Sequence, residues 1–184
     1  MVNQDKLDIE IFKVVTRAVS FSRDLDVMAG HLCQLLVGAL EIKGATLFLL
    51  NPETKELEIL KSMGLSKHYL NKGPVFIDRS MGCNEIGKAH LLSDVEESKE
   101  LQYPEDAKKE GVKAILSLPI ALSGRIIGCL RLYHYEPWHI SEKDIDGLLA
   151  LSDMIGLALM YSRLKTTMSA ISEMVGSIHP VWLE

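Results

Sequence analysis

Two alternating segments joined by a two-residue turn constrain the fold of this chain more than any other feature. The segments are 113–122 and 125–135, and much of each places apolar side chains at every second position. Between them stands Ser123-Gly124, a pair suited to the tight turn of a β-hairpin. Alternation gives each strand two faces, and a hairpin requires antiparallel pairing. The sequence therefore predicts an antiparallel sheet.

Helices and further strands flank this hairpin. Apolar steps of three or four predict helices, and short runs bounded by turn residues predict strands. In chain order we expect helices near 7–21 and from Asp24 or Asp26 to about Glu41, strands at 45–50, 56–63 and 90–94, a short helix from Pro104 to Gly111, and a long helix from Ser141. This order predicts an α+β domain with its terminal helices on one face of the sheet. The aperiodic segment 64–87 is expected to form a pocket on the other face.

Composition narrows the class of protein. With 20 Lys and Arg against 25 Asp and Glu, the chain lacks the basic excess of a nucleic-acid binder. The N-terminus shows no signal-peptide pattern, and the apolar stretch 147–160 is too short and too interrupted for a membrane span. Three widely spaced cysteines without a CxxC pair predict reduced thiols and no structural zinc. We therefore expect a cytoplasmic protein with no nucleic-acid or membrane partner.

Alternation also assigns side chains to the two faces of the sheet. In the second strand of the hairpin it predicts that Ile126, Leu130 and Leu132 face the helices and that Ile127, Cys129, Arg131 and Tyr133 face the pocket. Arg131 is then a candidate clamp for a carboxylate or phosphate, which the planar guanidinium suits. The alternatives are a salt bridge to Glu85 or Glu110, or exposure to solvent.

Other candidate ligand-binding residues share the predicted pocket. Ser117 is a candidate hydroxyl contact, with a local hydrogen bond to backbone as the alternative. Cys83 is either a redox-sensing or ligand-attaching thiol or a small buried filler, whereas Cys33 and Cys129 are expected to pack in the core. The predicted ligand-binding set comprises Phe48, Phe76, Met81, Cys83, Ser117, Arg131 and Tyr133.

Catalytic and metal-binding patterns are not evident in the sequence. Six histidines are scattered without ligand spacing, and no Ser-His-Asp order or glycine-rich phosphate loop is present. We expect neither a metal site nor an enzyme.

The long C-terminal helix carries an apolar seam. Residues 157, 164, 171 and 178 are Leu, Leu, Ile and Ile at steps of seven. One helix from Ser141 to Gly176 would be about 54 Å long at about 1.5 Å per residue, longer than this domain can cover. The seam predicts a parallel homodimer through the terminal helices, and the alternative is a tail folded back on its own domain or on the first helix.

The order and spacing of these segments resemble a GAF domain, in particular those of bacterial signalling proteins. The resemblance covers about residues 24–164 and is carried by Gly64–Ser80, Leu91–Ser98, Tyr103–Pro137 and the helix that begins SEKDIDGLLALSD. It implies a ligand pocket under 64–87. The NKFDE-type motif of cyclic-nucleotide-binding members is absent as a unit, no cysteine has a bilin-attachment context, and the cysteine spacing differs from that of free methionine-sulfoxide reductases. No recognisable output domain follows.

We divide the chain into an N-terminal dimerisation helix at 1–23, a GAF domain at 24–164 and a helical extension with tail at 165–184. The expected function is a cytoplasmic homodimeric sensor of a small organic ligand, of unassigned identity, that acts on a signalling partner. One alternative is an interaction module whose pocket is filled by side chains such as Phe76 and Met81. The other is a Cys83-dependent reductase of a small oxidised molecule.

Overall fold

The computed structural model describes residues 13, 25–79, 81, 83–96 and 101–178. The helix predicted near 7–21 lies outside these residues except for Lys13, as does the tail beyond Ile178. The elements are α1 (Leu25–Leu40), β1 (Gly44–Leu50), β2 (Leu57–Met63), α2 (Lys67–Leu70), β3 (His90–Leu92), α3 (Pro104–Glu110), β4 (Ala114–Leu122), β5 (Arg125–His134) and α4 (Glu142–Ile178).

The strands form one antiparallel sheet in the order β2-β1-β5-β4-β3. The predicted hairpin is confirmed, because Ser123 and Gly124 both have positive φ, of 49° and 73°, as a tight hairpin turn requires. Pro119 of β4 lies beyond the pairing with β3, which reaches only as far as Ser117, and this suits a residue that has no backbone N–H to donate. The predicted α+β fold with an antiparallel sheet is therefore correct.

Helices α1 and α4 pack on one face of the sheet, which we call the helix face. Their buried side chains meet alternate residues of the strands, as the period of two requires. The core contains Leu32, Leu36, Leu148, Leu151 and Ile155 from the helices and Leu47, Leu116, Leu118, Leu130 and Leu132 from the strands. The N–H of Asp144 donates to the Ser141 hydroxyl at 3.1 Å, so Ser141 caps α4 and the helix begins where the sequence predicted.

The predicted orientation of the first residues of β5 is wrong. Ile127 packs against the helix-face core, although simple alternation placed it on the pocket face. The register explains the difference, because Ile120 pairs with Gly128 whereas Ala121 pairs with Ile126. This β-bulge adds one residue to β5 and reverses the alternation before Gly128.

Helix α4 extends well beyond the sheet. Its 37 residues correspond to about 56 Å, and its last core contact is made by Leu159. Beyond that point the large apolar side chains are exposed, including Tyr161, Leu164, Met168, Ile171 and Met174. By length and composition alone, the stretch Glu142–Met174 could span a bilayer. The sequence had predicted that the apolar stretch 147–160 was too short and too interrupted to do so. The core helix of a water-soluble fold meets the same criteria.

Gly128 allows β1 and β5 to approach each other. A Cβ atom added at this position would lie 2.3 Å from the Phe48 carbonyl oxygen, which belongs to the backbone of the paired strand. Backbone cannot move aside without breaking the β1–β5 ladder, so any larger residue disturbs the centre of the sheet.

We predict that Gly128→Ala lowers the free energy of unfolding by about 2–4 kcal/mol. Gly38→Ala is the matched control, because Gly38 lies on an exposed position of α1 with nothing within 4 Å of an added Cβ. That control should instead gain about 0.5–1 kcal/mol from helix propensity. Urea denaturation of both variants measures the difference, and equal stabilities would contradict the close approach.

Candidate functional site

A row of polar side chains crosses the sheet on the face opposite the helices, which we call the cover face. The register pairs Thr46 with Arg131 and Arg131 with Ser117 on adjacent strands. The row continues to the edges of the sheet, where Ser62 pairs with Thr46 and His90 with Ser117. Paired residues point to the same face, so one line of hydroxyl, guanidinium and imidazole groups lies across all five strands.

Arg131 is buried at the centre of this row, with 6% of its surface exposed. Its Nη2 donates to the Met81 carbonyl oxygen at 3.4 Å, and its guanidinium lies 5.5 Å from the centre of the Phe48 ring. Solvent exposure, one of the two alternatives for this side chain, is therefore wrong. A buried guanidinium needs acceptors or an anion nearby.

The two carboxylates considered as partners of Arg131 contact other residues. Glu85 pairs with Lys88 at 2.9 Å. Glu110 accepts hydrogen bonds from the backbone N–H and hydroxyl of Ser66, and Lys43 lies 3.6 Å away. Burial alone would raise the pKa of Glu110, but the Ser66 hydrogen bonds and Lys43 lower it overall. Both carboxylates therefore have partners of their own.

Ser117 has a fully buried hydroxyl. Its Oγ makes no hydrogen bond to any residue that the structure describes, so the expected alternative of a local backbone hydrogen bond is not found there. A buried hydroxyl without a partner is costly, since it loses its hydrogen bonds to water. Ser117 lies directly across from Arg131.

Two tyrosines and a lysine surround the row. Tyr133 is buried two residues after Arg131, and the Tyr69 ring meets it edge-on at 5.9 Å between centroids. Burial raises the pKa of both phenols, although the Arg131 charge acts in the opposite direction. The Nζ of Lys72 lies 3.9 Å above the Tyr69 ring, and burial, followed by the Arg131 charge, lowers the pKa of Lys72 to about 8.

Cys83 and Cys129 form a disulfide on the cover face. Their Cα atoms are 6.1 Å apart, within the range that disulfides span. The prediction of three reduced thiols is thus wrong for this pair. Both cysteines are nevertheless buried in one apolar cluster, as the filler role of Cys83 and the packing role of Cys129 predicted. Cys33 is the free cysteine, and it is buried as expected. The disulfide attaches the segment before β3 to the central strand, beside Phe48.

Phe76 lies at the edge of the cover face and is only partly buried. It forms an isolated bridge with Glu56, and the Arg79 guanidinium lies 5.3 Å from its ring. The Phe76 N–H donates to the Gln102 side chain at 3.2 Å, while the amide of Gln102 and the hydroxyl of Tyr103 both donate to the Pro74 carbonyl. These bonds hold residues 74–76 against the start of α3.

The predicted binding residues are partly brought together. Met81, Tyr69 and Tyr133 share one buried cluster, and Phe48, Val75 and Cys83 share another beside it. Next to Phe48, an open groove of about 370 Å³ runs between β2 and residues 70–75. Its lining includes Leu57, Ile59, Leu70 and Pro74 together with the carboxylates of Glu56 and Glu58.

The predicted binding set lacks five residues of this face, Thr46, Ser62, Tyr69, Lys72 and His90. Thr46 was within reach, because it lies two positions before Phe48 and must share its side of β1. Tyr69 and Lys72 carried no comparable signal, because they belong to the aperiodic segment. Within the described part of the chain, no group of three His, Cys, Asp or Glu residues could hold a metal ion.

Comparison with known protein families identifies the family of this chain. The GAF domain model matches residues 24–159, and the chain belongs to the GAF domain family. The match ends close to the boundary predicted at 164, and the division into three parts stays a prediction. A search of curated proteins finds no match.

Solved structures with low sequence identity share the fold. The GAF domain of a phosphoenolpyruvate-protein phosphotransferase from Coxiella burnetii has a TM-score of 0.75 at 18% identity, over 86% of this chain and 96% of that one. The free methionine-R-sulfoxide reductase from Neisseria meningitidis, in complex with its substrate, has a TM-score of 0.71 at 16% identity, over 85% and 90%. A domain of a putative two-component sensor histidine kinase from Sinorhizobium meliloti has a TM-score of 0.62 at 19% identity, over 89% of this chain and 98% of that one.

Thiol counting tests the cysteine arrangement. We predict no reaction of the native, unreduced protein with a disulfide reagent at mildly alkaline pH, because burial raises the pKa of Cys33 to about 11 and the other two cysteines are linked. Unfolding without reductant should release one reactive thiol, and reduction should release all three. Three reactive thiols in the unfolded, unreduced protein would contradict the pairing.

Proposed function

We propose that this GAF domain is a sensor that binds a small organic ligand on its cover face and works as a homodimer through its terminal helices. The observation that carries the proposal is the buried polar row with Arg131 at its centre. A sheet face serving only stability is expected to be apolar, since buried polar groups stabilise a fold only when fully paired. A ligand that contacts the row would supply a partner for the Ser117 hydroxyl, which has none among the described residues.

The same strand connects this face to the helices. In β5, Arg131 and Tyr133 point to the cover face, while Leu130 and Leu132 lie in the helix-face core with α4 residues such as Leu151. A ligand that binds better to one arrangement of the sheet shifts the population toward it. Helix α4 would then carry the change out of the domain.

The dimer proposal is supported by the exposed seam of α4. Leu157, Leu164 and Ile171 repeat at steps of seven and are 62%, 56% and 53% exposed. Such a repeat buries itself when two helices pair side by side. We also propose that the domain acts in the cytoplasm on a signalling partner and catalyses no reaction of its own, and the histidine-kinase structure of the same fold is consistent with that role.

A second candidate function is reduction of a small oxidised molecule. The observation that favours it is the Cys83–Cys129 pair beside Phe48, and one structure of the same fold is a reductase in complex with its substrate. The two thiols would give two electrons to a sulfoxide, which becomes a thioether and releases water as the disulfide forms. A dithiol reductant would restore them. Turnover of a sulfoxide that is unchanged in Cys83→Ser would exclude this candidate.

Native mass spectrometry of protein purified from cells tests the sensor. We expect a dimer that carries a small additional mass, and this mass should be lost under denaturing conditions. A monomer at micromolar concentration, or a dimer from which no added compound or cellular extract yields a complex, would contradict the proposal.

Leu164→Lys tests the dimer seam. We expect it to weaken dimerisation by at least about tenfold, because a charge replaces a side chain buried between the two helices. Ser169→Lys is the matched control, since it places the same charge on the exposed side of α4 away from the seam. Analytical ultracentrifugation should show a monomer for the first variant and a dimer for the second. If the two variants dimerise equally well, the apolar seam of α4 is not the dimer interface.

A further inference from the structure

Strand β2 forms one edge of the sheet, and its outer side is only partly paired. The Leu57 N–H donates to the Val75 carbonyl at 2.7 Å, and the Ile77 N–H donates to the Lys55 carbonyl at 3.0 Å. Residues 75–77 therefore pair with the start of β2 as a further strand would. This pairing ends at Val75.

The chain turns away from β2 just before this pairing. Gly73 has a φ of 131°, which glycine adopts without strain, and the Pro74 carbonyl accepts hydrogen bonds from Gln102 and Tyr103. These contacts tie the segment to the start of α3. The open groove of about 370 Å³ between β2 and residues 70–75 lies where the pairing with β2 stops.

Ile59 lies at this opening with its backbone groups directed outward. The Asn51 N–H donates to the Glu56 carbonyl at 2.8 Å, so these two residues are a hydrogen-bonded pair of the β1–β2 ladder. Such pairs alternate with non-hydrogen-bonded ones along an antiparallel ladder, and the pair of Phe48 with Ile59, three steps further on, is of the second kind. The N–H and C=O of Ile59 therefore point away from β1. Neither forms a hydrogen bond with another described residue.

On the cover face this edge is apolar. Ile59 pairs with Phe48, so both side chains lie on this face, and Ile59 is 41% exposed. Leu57 lies on the same face because it is two residues earlier in the strand. Leu70 and Pro74 line the groove together with them. An apolar side chain placed opposite Ile59 would enter the groove between these surfaces.

On the helix-face side the same edge is acidic. Glu58 pairs with Leu49, whose side chain packs against the helix-face core, so Glu58 points to that side. Glu56 is two residues earlier and shares it. Neither carboxylate forms an ion pair with a described residue, and the neighbouring Lys61 binds Asp26 at 2.6 Å instead. A strand added here would therefore meet negative charge on one side and an apolar groove on the other.

We propose that this edge of β2 binds an extended segment of a partner protein in which one apolar residue stands between two basic ones. The apolar residue exchanges hydrogen bonds with the N–H and C=O of Ile59 and places its side chain in the groove, which is strand addition to a sheet edge. Its neighbours point to the other side, where Lys or Arg meets Glu58.

A second copy of this chain is a poorer match for the edge. Glu58 and Leu60 flank Ile59 in the sequence, so the copy brings no basic residue beside its own Ile59. The proposal concerns the edge of the sheet rather than the polar row or the seam of α4. It therefore goes beyond the proposed sensor and can fail without it.

The test is fluorescence anisotropy of labelled pentapeptides titrated with the full chain. The probe is Thr-Lys-Val-Lys-Thr, capped at both ends, and its matches are Thr-Glu-Val-Glu-Thr and Thr-Lys-Pro-Lys-Thr. We expect the probe to bind at least about tenfold more tightly than either match, because one match reverses the charge that meets Glu58 and the other lacks the N–H that bonds to Ile59. Absence of binding, or equal binding of either match, would overturn the proposal.

Glu58→Lys tests the acidic side of the edge. We expect it to weaken binding of the probe at least about tenfold and to strengthen binding of the glutamate peptide, since the charges are exchanged. The second effect separates a direct contact from damage to the β1–β2 turn, where Asn51 Nδ2 donates to the Glu58 carboxylate at 2.9 Å. Asp153→Lys is the matched control, because Asp153 is exposed on α4 and the variant has the same net charge. An unchanged preference in Glu58→Lys, or the same change in the control, would remove Glu58 from the interface.

Hydrogen exchange measured by NMR locates the bound peptide. The N–H of Ile59 should exchange at least about tenfold more slowly in the complex, because it then donates to the peptide. The N–H of Leu57 should change little, since it already donates to Val75. Unchanged exchange at Ile59 would place the peptide elsewhere. Protection of Ile59 in the free protein that is lost on dilution would assign the edge to a second copy, and either result would overturn the proposal.

Discussion

Strand β5 lies in the middle of the sheet and pairs with β1 on one side and β4 on the other. The close approach at Gly128 makes this pairing possible, and the pairing fixes the direction of every side chain that follows. Leu130 and Leu132 must then enter the helix-face core, while Arg131 must enter the cover face. The register that brings Leu130 and Leu132 into the core therefore also brings the Arg131 guanidinium to the cover face. The stability of the fold and the candidate site both depend on this register of β5 with its neighbours.

Burying that cation has consequences for the rest of the cover face. Arg131 is surrounded by the Phe48 ring, the Met81 carbonyl and the Tyr133 phenol rather than by Glu85 or Glu110. Polar groups placed this way add little to stability compared with apolar packing. Proteins commonly keep such arrangements where binding requires them, at some cost to the fold. The disulfide between Cys83 and Cys129 joins this layer to the sheet.

The sequence predicted the elements that depend on local patterns. The Ser123-Gly124 turn, the start of α4 at Ser141 and the end of α3 at Gly111 follow from residues within a few positions of one another. The orientation of Ile127 could not be predicted, because the bulge is a property of two paired strands. The partner of Cys83 is 46 residues away, and no spacing rule connects the two. For Arg131 the strand face was predictable, but Met81, whose carbonyl accepts a hydrogen bond from it, belongs to the aperiodic segment.

Among the residues that the structure describes, helix α4 joins the helix-face core at one end only. Its last core residue is Leu159, and the described helix ends at Ile178, about 28 Å further along at about 1.5 Å per residue. A rigid rod converts a small rotation at its base into a larger displacement at its tip. A tilt of about 5° within the core would move the far end by about 2.5 Å, given that length. A sub-ångström change in the packing of Leu130 and Leu132 against α4 would therefore produce a larger movement at the far end of the helix. Movements of that larger size separate one packing arrangement of two helices from another.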